Sequence, residues 1–408
     1  MIQPFLKRSL LWLALLFWLA TAAPALALTE EQKLFNEAWR IVNQSYVDPG
    51  FNHTNWYQLR EKILKKPLAD REQTYTAIEG LLAKLDDPFT RLLRPDQYRN
   101  LQVSTAGELS GVGLQIGFEA ESGDVVVIAP IEGSPAAQAG LLAGDRILTV
   151  DGVAISGREL DEAAARMRGP RGTTVALQVL RDQQTLDFEL VRDRISLNPV
   201  RSQLDRDGDH PTIGYIRLSQ FNANASVEVA HAIAQLDQQG AEAFVLDLRN
   251  NSGGLLTAGI EIAREWLDEG AIVYTVNRQG VLDSFAANGQ ALTGKPLALL
   301  VNRGTASASE ILAGALQDNE RAILVGDRTF GKGLIQSLFE LSDGAGLAVT
   351  VAKYETPNHH DINKQGIQPD LAVEQPEPLF AEAIASAADR QYQAAVTALT
   401  EQLRRDRG

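Results

Sequence analysis

The chain contains no cysteine. That excludes a thiol protease, a thiolate metal site and a disulfide-stapled domain. Histidine is scarce too: His53, His210, His231, His359 and His360 are the full set. None sits in a context typical of a histidine base, so a serine–histidine hydrolase lacks an evident proton acceptor. Basic excess is missing, since the net charge is −14, and nucleic-acid binding, which needs a basic face, is not expected. No metal site and no cofactor is expected either. No apolar run reaches the roughly 20 residues needed to span a bilayer; the run Ser9–Ala23 holds about 15. With Lys7 and Arg8 before it and Ala25-Leu26-Ala27 after it, residues 1–27 read as a cleaved export signal. The mature chain is then expected in a periplasm or a lumen.

What is present organises into three parts. With 408 residues, 45% of them hydrophobic, the chain can build two or three cored domains. Residues 28–105 read as helical: Thr29 and Gln32 form a capping-box pattern, and Leu34, Phe35, Ala38, Trp39 and Val42 share one face. A second helix is predicted from Arg71 to about Leu85. Residues 106–192 turn to short strands and glycine turns. The run Gly133-Ser134-Pro135-Ala136 through Gly140-Leu141 to Gly144-Asp145, followed by the strand Ile147–Val150, resembles the PDZ family. Residues 193–408 alternate strands (Phe244–Leu248, Leu297–Val301, Ala322–Gly326, Leu334–Leu341) with helices (Leu255–Leu267, Ser307–Gln317). This predicts a layered α/β domain, closed by a C-terminal helix over 377–406.

Two segments of the last part have chemical potential. In Gly304-Thr305-Ala306-Ser307-Ala308-Ser309-Glu310-Ile311, Ser307 lies between an apolar strand and a helix. Ser307 with Glu310 fits an ordinary capping box. It equally fits a nucleophile presented where helix N–H groups favour developing negative charge. Local pattern leaves both open. A serine nucleophile needs a base, and lysine serves only where burial among apolar groups favours the neutral amine. Lys332, in Phe330-Gly331-Lys332-Gly333-Leu334, enters a strand between glycines that permit close approach, with Phe330 and Leu334 available to exclude water. A solvated turn lysine is the plainer reading of Lys332 alone; the pair carries the signal.

These two segments resemble the catalytic motifs of the C-terminal processing peptidases. The resemblance runs from Phe35 to Asp370. It implies Ser307 as nucleophile and Lys332 as base, 25 positions apart as in that family, with Gln336 orienting the lysine and Ser309 a decoy. Strand alternation would put Lys332 and Gln336 on one face. In Asp247-Leu248-Arg249-Asn250-Asn251-Ser252-Gly253-Gly254 a strand closes on a glycine turn. The resemblance implies the N–H groups of Gly253 and Ala308 as oxyanion donors. Asn251–Gly254 also resembles the nucleophile motif of trypsin-like proteases, but the order of domains and the lack of a matching histidine argue against Ser252.

In the PDZ-like part, Gly111, Val112, Gly113 and Leu114 read as a carboxylate loop leading into an edge strand, with the helix Leu160–Arg168 as the other wall of a groove for a substrate C-terminus; its apolar face of Leu160, Ala163, Ala164 and Met167 also fits plain packing of the small domain's core. Arg168 resembles a position that links this domain to the catalytic site in some members of the family, and it equally fits a cationic residue that stabilises the helix C-terminus. The fold implied is multi-domain α+β: a helical N-terminal domain, a PDZ domain and a protease domain of the crotonase/ClpP-like type. The partners implied are proteins with a free C-terminal tail, with peripheral membrane contact through membrane-protein substrates. Leu85–Arg91 and Tyr354–Lys364 resemble the photosynthetic members, which process the photosystem II reaction-centre protein precursor. The alternative is a non-catalytic PDZ scaffold that captures tails.

Overall fold

The computed structural model describes residues 28–119, 122–131, 133–155, 160–206, 210–375 and 383–407. The export signal at 1–27 lies outside the described residues. Among those described, no helix is long and apolar enough to cross a membrane.

The described residues fall into two compact units: those up to Asp96 with Gln336–Val351, and Gln97–Ile335 with those from Ala352 onward. In the first, the helix Glu30–Ser45 begins with the expected reciprocal cap. Thr29 Oγ1 accepts the Gln32 N–H at 3.2 Å, and Gln32 Oε1 accepts the Thr29 N–H at 3.1 Å. Its buried face packs with those of the helices Trp56–Leu64 and Arg71–Leu82 around Trp56, Ile78 and Leu81. The same core takes in Leu341, Leu347 and Val349 from far along the chain. Strand Arg91–Leu93 runs antiparallel to Gly346–Ala348.

The second unit holds the PDZ-like part and an α/β core. A six-stranded sheet has Val200–Asp205 antiparallel to Ile213–Leu218. Ala243–Asp247, Leu297–Val301, Ile323–Gly326 and Leu371–Ala372 then follow in parallel. Its central strands are apolar throughout because both faces are covered. The helices Ala225–Gln238, Leu256–Trp266 and Ala308–Asp318 share one core with it, and the helix Arg390–Arg407 buries Tyr392, Ala395, Val396 and Leu399 on the other. The loops at the carboxyl ends of the parallel strands are where sites form in such sheets.

Of the helix predicted over 377–406, residues 377–382 lie outside the described residues; within those described it begins at Arg390. Asp389 decides this: its carboxylate accepts the Tyr392 N–H at 3.1 Å, a cap that fixes the first turn. The PDZ-like sheet runs Leu114–Phe118, Val125–Pro130, Arg146–Val150, Thr174–Arg181, Gln184–Val191, which leaves Leu114–Phe118 at an edge. The two connections of this part to the α/β core pair with each other, Glu108–Gly111 against Asp193–Ser196. They are bound to the core by Ala223 N–H to Thr105 O at 3.0 Å and Asn224 Nδ2 to Gly107 O at 2.7 Å.

Candidate active site

Ser307 ends the loop after strand Leu297–Val301, immediately before the helix that opens at Ala308. An ordinary N-cap residue has extended backbone. Ser307 instead sits at φ +57°, ψ −118°, a region that L-residues occupy at a cost of about 1–3 kcal/mol and mostly at functional sites. The plain capping reading therefore does not account for it. Glu310 does reach back, its Oε2 accepting the Ser307 N–H at 2.9 Å.

That carboxylate does much more than cap a helix. Glu310 is fully buried. Its Oε2 also accepts the Lys332 N–H at 2.8 Å, and its Oε1 accepts the Gly331 N–H at 2.7 Å and the Thr329 hydroxyl at 2.5 Å. One buried charge thus satisfies donors from both segments singled out in the sequence. The Phe330 N–H donates to Thr305 O at 3.0 Å, a second tie between them. A β-carbon on Gly331, whose φ is +90°, would lie 2.9 Å from Gly366 N, so the close approach read from the flanking glycines is realised against the 362–366 turn.

Two details of the Lys332 segment differ from expectation. Lys332 precedes the strand, which begins at Leu334, so strand alternation does not set its direction toward Gln336. Phe330 is 58% exposed and does not shield the lysine; its N–H is drawn to Thr305 while its ring faces outward. Lys332 is partly buried. Gln336 belongs to the other compact unit, where its Nε2 donates to Thr350 Oγ1 at 3.4 Å.

The glycine turn comes close to Ser307. At Gly253 (φ +99°) an added β-carbon would lie 2.9 Å from Ala308 N, 2.9 Å from Ser307 Cβ and 2.8 Å from Ala306 O. No residue but glycine fits there. Ala308 opens its helix, so its N–H has no carbonyl one turn back. The Gly253 N–H donates to Asn251 Oδ1 at 2.9 Å. Asn251 is itself buried, and its backbone carbonyl accepts both the Ala306 N–H at 3.0 Å and the Ser309 hydroxyl at 2.9 Å. Ser309 is thereby committed to a structural bond. Ser252 is exposed. No described bond joins a histidine to either serine: His210 contacts Pro211 O and Asp205, and His359 pairs with Glu355 and stacks on Tyr274.

Below the glycine turn lies a buried ionic cluster. Arg249 donates to Asp247 (Nη2 to Oδ2, 2.7 Å) and to Asp389 (Nη1 to Oδ1, 2.8 Å; Nη2 to Oδ2, 2.7 Å), and Tyr215 donates to Asp247 Oδ2 at 2.7 Å. Burial alone would raise the Asp389 carboxyl, but the Arg249 guanidinium and nearby N–H groups hold it below the usual carboxylate range. Sequence reading quoted Asp247, Arg249, Asn251 and Glu310 inside motifs yet gave none of them these roles. The signal available for Glu310 was a charged residue in the first turn of a largely apolar helix, read as capping.

In the PDZ-like part, Val112 is buried and Gly113 (φ +78°) would clash with Ser134 if it carried a side chain. Ala163 and Met167 are core residues of that sheet, with Leu160 packed against them. Arg168 is exposed and donates to Asn100 Oδ1 at 2.9 Å, a contact with the helix Pro95–Ala106. Among the described residues no group of three or more acidic, histidine or cysteine side chains could hold a metal ion.

Comparison with known proteins agrees with this architecture. Residues 212–373 match peptidase family S41, residues 126–181 a PDZ domain and residues 28–82 the tricorn protease C1 domain. A carboxyl-terminal-processing protease of Synechocystis is 64% identical over 387 residues, covering 94% of this chain and 90% of that one. The chloroplastic carboxyl-terminal-processing peptidase 2 of Arabidopsis thaliana is 49% identical over 358 residues, covering 85% and 70%. A solved photosystem II D1 C-terminal processing protease superposes with a TM-score of 0.58 at 43% identity, covering 90% of this chain and 100% of that one. A helical N-terminal region, a PDZ domain and an S41 protease domain in one chain, with relatives of this likeness, leave one assignment: the protein belongs to peptidase family S41, the serine peptidases with a Ser/Lys dyad, among the carboxyl-terminal-processing proteases.

Proposed function

We propose that this protein removes C-terminal extensions from proteins in a lumen or periplasm, and that its substrate is the precursor of the photosystem II D1 protein. Ser307 is the nucleophile and Lys332 the general base. The Ser307 hydroxyl attacks the scissile carbonyl as its proton passes to the neutral Lys332 amine. The tetrahedral oxyanion is held by the N–H groups of Ala308 and Gly253, and the Gly253 N–H must leave or share Asn251 Oδ1 to do so. Collapse expels the amine, which takes the proton from Lys332, and water then hydrolyses the acyl-enzyme by the same route. Gln336 orients the lysine. Gly111, Val112, Gly113 and Leu114 receive the substrate carboxylate, and the edge strand Leu114–Phe118 pairs with the tail. Membrane contact comes through the substrate.

The observation that carries the reading is the strained Ser307 backbone, in contact with the Gly253 turn and sharing the Glu310 carboxylate with Lys332. The test uses a purified D1 precursor followed by mass spectrometry. Wild-type enzyme should release the extension. Ser307→Ala should fall to background, while Ser252→Ala and Ser309→Ala stay within about tenfold, or about 1.4 kcal/mol of barrier. A Ser307→Ala enzyme that still cuts would end the catalytic assignment; an intact precursor alongside cleavage of other tails would end only the substrate assignment.

A further inference from the structure

Tyr354 belongs to a stretch that sequence analysis read only as a mark of the photosynthetic subgroup. It lies near the end of strand Gly346–Glu355, paired with Thr275, and is 1% exposed. Its hydroxyl donates to Lys332 O at 2.7 Å and lies 3.1 Å from Ser307 O. Its own N–H donates to Gly333 O at 3.1 Å. A phenol carries a single proton, so the two carbonyls compete for one donor. Both gain from it only while their segments keep the present separation. Ser307 O already accepts the helix N–H groups of Glu310 at 2.8 Å and Ile311 at 3.0 Å; for Lys332 O the Tyr354 hydroxyl is the short partner. Burial, with the Glu310 and Asp361 carboxylates, pushes the phenol well above its usual range, so it remains a donor.

We propose that Tyr354 is a positioning residue, whose one shared proton fixes the segment carrying the base relative to the segment carrying the nucleophile. The proposal rests on the assignment of Ser307 and Lys332 made above. Glu310 accepts the N–H groups of Ser307 and Lys332 and Tyr354 lies against their carbonyls, so together they hold the peptide units on either side of each of the two residues. Positioning of reacting groups is sensitive to shifts of about 1 Å, and such losses appear in turnover.

The test is Tyr354→Phe, which removes one oxygen and keeps the ring. The control is Tyr392→Phe, which removes the hydroxyl of another buried tyrosine, bonded to Asp205 at 2.6 Å, in the C-terminal helix. Both are assayed on a tail-bearing peptide beside Ser307→Ala and Lys332→Ala, with melting temperatures recorded. Tyr354→Phe should lower kcat by at least about tenfold with KM within about threefold. Tyr392→Phe should keep kcat within about twofold even though it also melts lower. Installing 3-fluorotyrosine at position 354, which restores the donor, should restore kcat. Wild-type kcat in Tyr354→Phe overturns the proposal, as does an equal loss in Tyr392→Phe. A Tyr354→Phe protein that does not fold overturns it too, because the hydroxyl would then govern stability and not turnover. If Ser307→Ala or Lys332→Ala stays active, it is the underlying assignment that fails.

Discussion

Glu310 accepts four donors on two oxygens, all from inside the protein. Hydrogen bonds to a charged group contribute about 1.5–3 kcal/mol each, and a buried donor left unpaired costs about 1–3 kcal/mol. Glu310→Gln keeps the shape but turns one oxygen into an NH2 group facing N–H donors. It should lower kcat by about 100-fold or more, about 2.7 kcal/mol of barrier, in a protein that still folds by circular dichroism. Lys332→Arg should be inactive despite keeping the charge, because a guanidinium stays protonated and cannot accept the serine proton. Measurable turnover by Lys332→Arg would remove the lysine from the proposed mechanism.

Between elements, the Asp247–Arg249–Asp389 cluster joins the strand before the glycine turn to the start of the C-terminal helix. Breaking a buried ion pair by removing one partner costs about 3–5 kcal/mol. Asp389→Asn should therefore lower the melting temperature by about 10 °C for a unit of this size, and differential scanning calorimetry reads it directly. The pH dependence has a defined sign. The Asp389 carboxyl is held below its usual range when folded, so its contribution is present above the unfolded value of about 3.9 and fades as pH falls through the lower folded value. Asp145, desolvated but bonded to Arg181, and Asp343, desolvated but bonded to Tyr75 and Arg71, behave in the same way. Wild-type stability should thus be flat with respect to these groups from pH 5 to 8 and drop below about pH 4. In Asp389→Asn that drop should be shallower.

At the scale of the whole molecule, the proposed capture of a tail by the PDZ domain bears on cleavage. The connections of that domain are bonded to residues 222–224, and the neighbouring Phe221 pairs with the glycine turn, its N–H donating to Gly253 O at 3.0 Å and its carbonyl accepting the Leu255 N–H at 2.7 Å. A change in the PDZ part therefore has a continuous path to the proposed oxyanion donors. Such a shift can be no larger than the tail's preference for the favoured state. One peptide with a free or an amidated C-terminus tests this. Amidation should cut kcat/KM by at least about tenfold, about 1.4 kcal/mol, if Gly111–Leu114 reads the carboxylate. Arg168→Ala should impair turnover of the free acid more than its binding, through loss of the bond to Asn100. Equal cleavage of both peptides would mean that the terminus is not read.

The sequence by itself determined whatever is decided within a few residues. The Thr29 cap, the apolar central strands, the glycine turn at Gly253 and the edge strand after Gly113 are all legible, because turn chemistry and side-chain periodicity act locally. The family too was legible, since its motifs are short and continuous. Tertiary structure decided which loops meet at the ends of the parallel strands. Glu310 reads as a helix cap until residues 329–332 fold onto it, and Tyr354 reads as a strand residue until two carbonyls from separate loops share its proton. Asp389 becomes a helix start because Arg249, 140 positions earlier, meets its carboxylate. Each of these partners is remote in the chain, and a buried charge or hydroxyl takes its role from the donors and acceptors that surround it after folding.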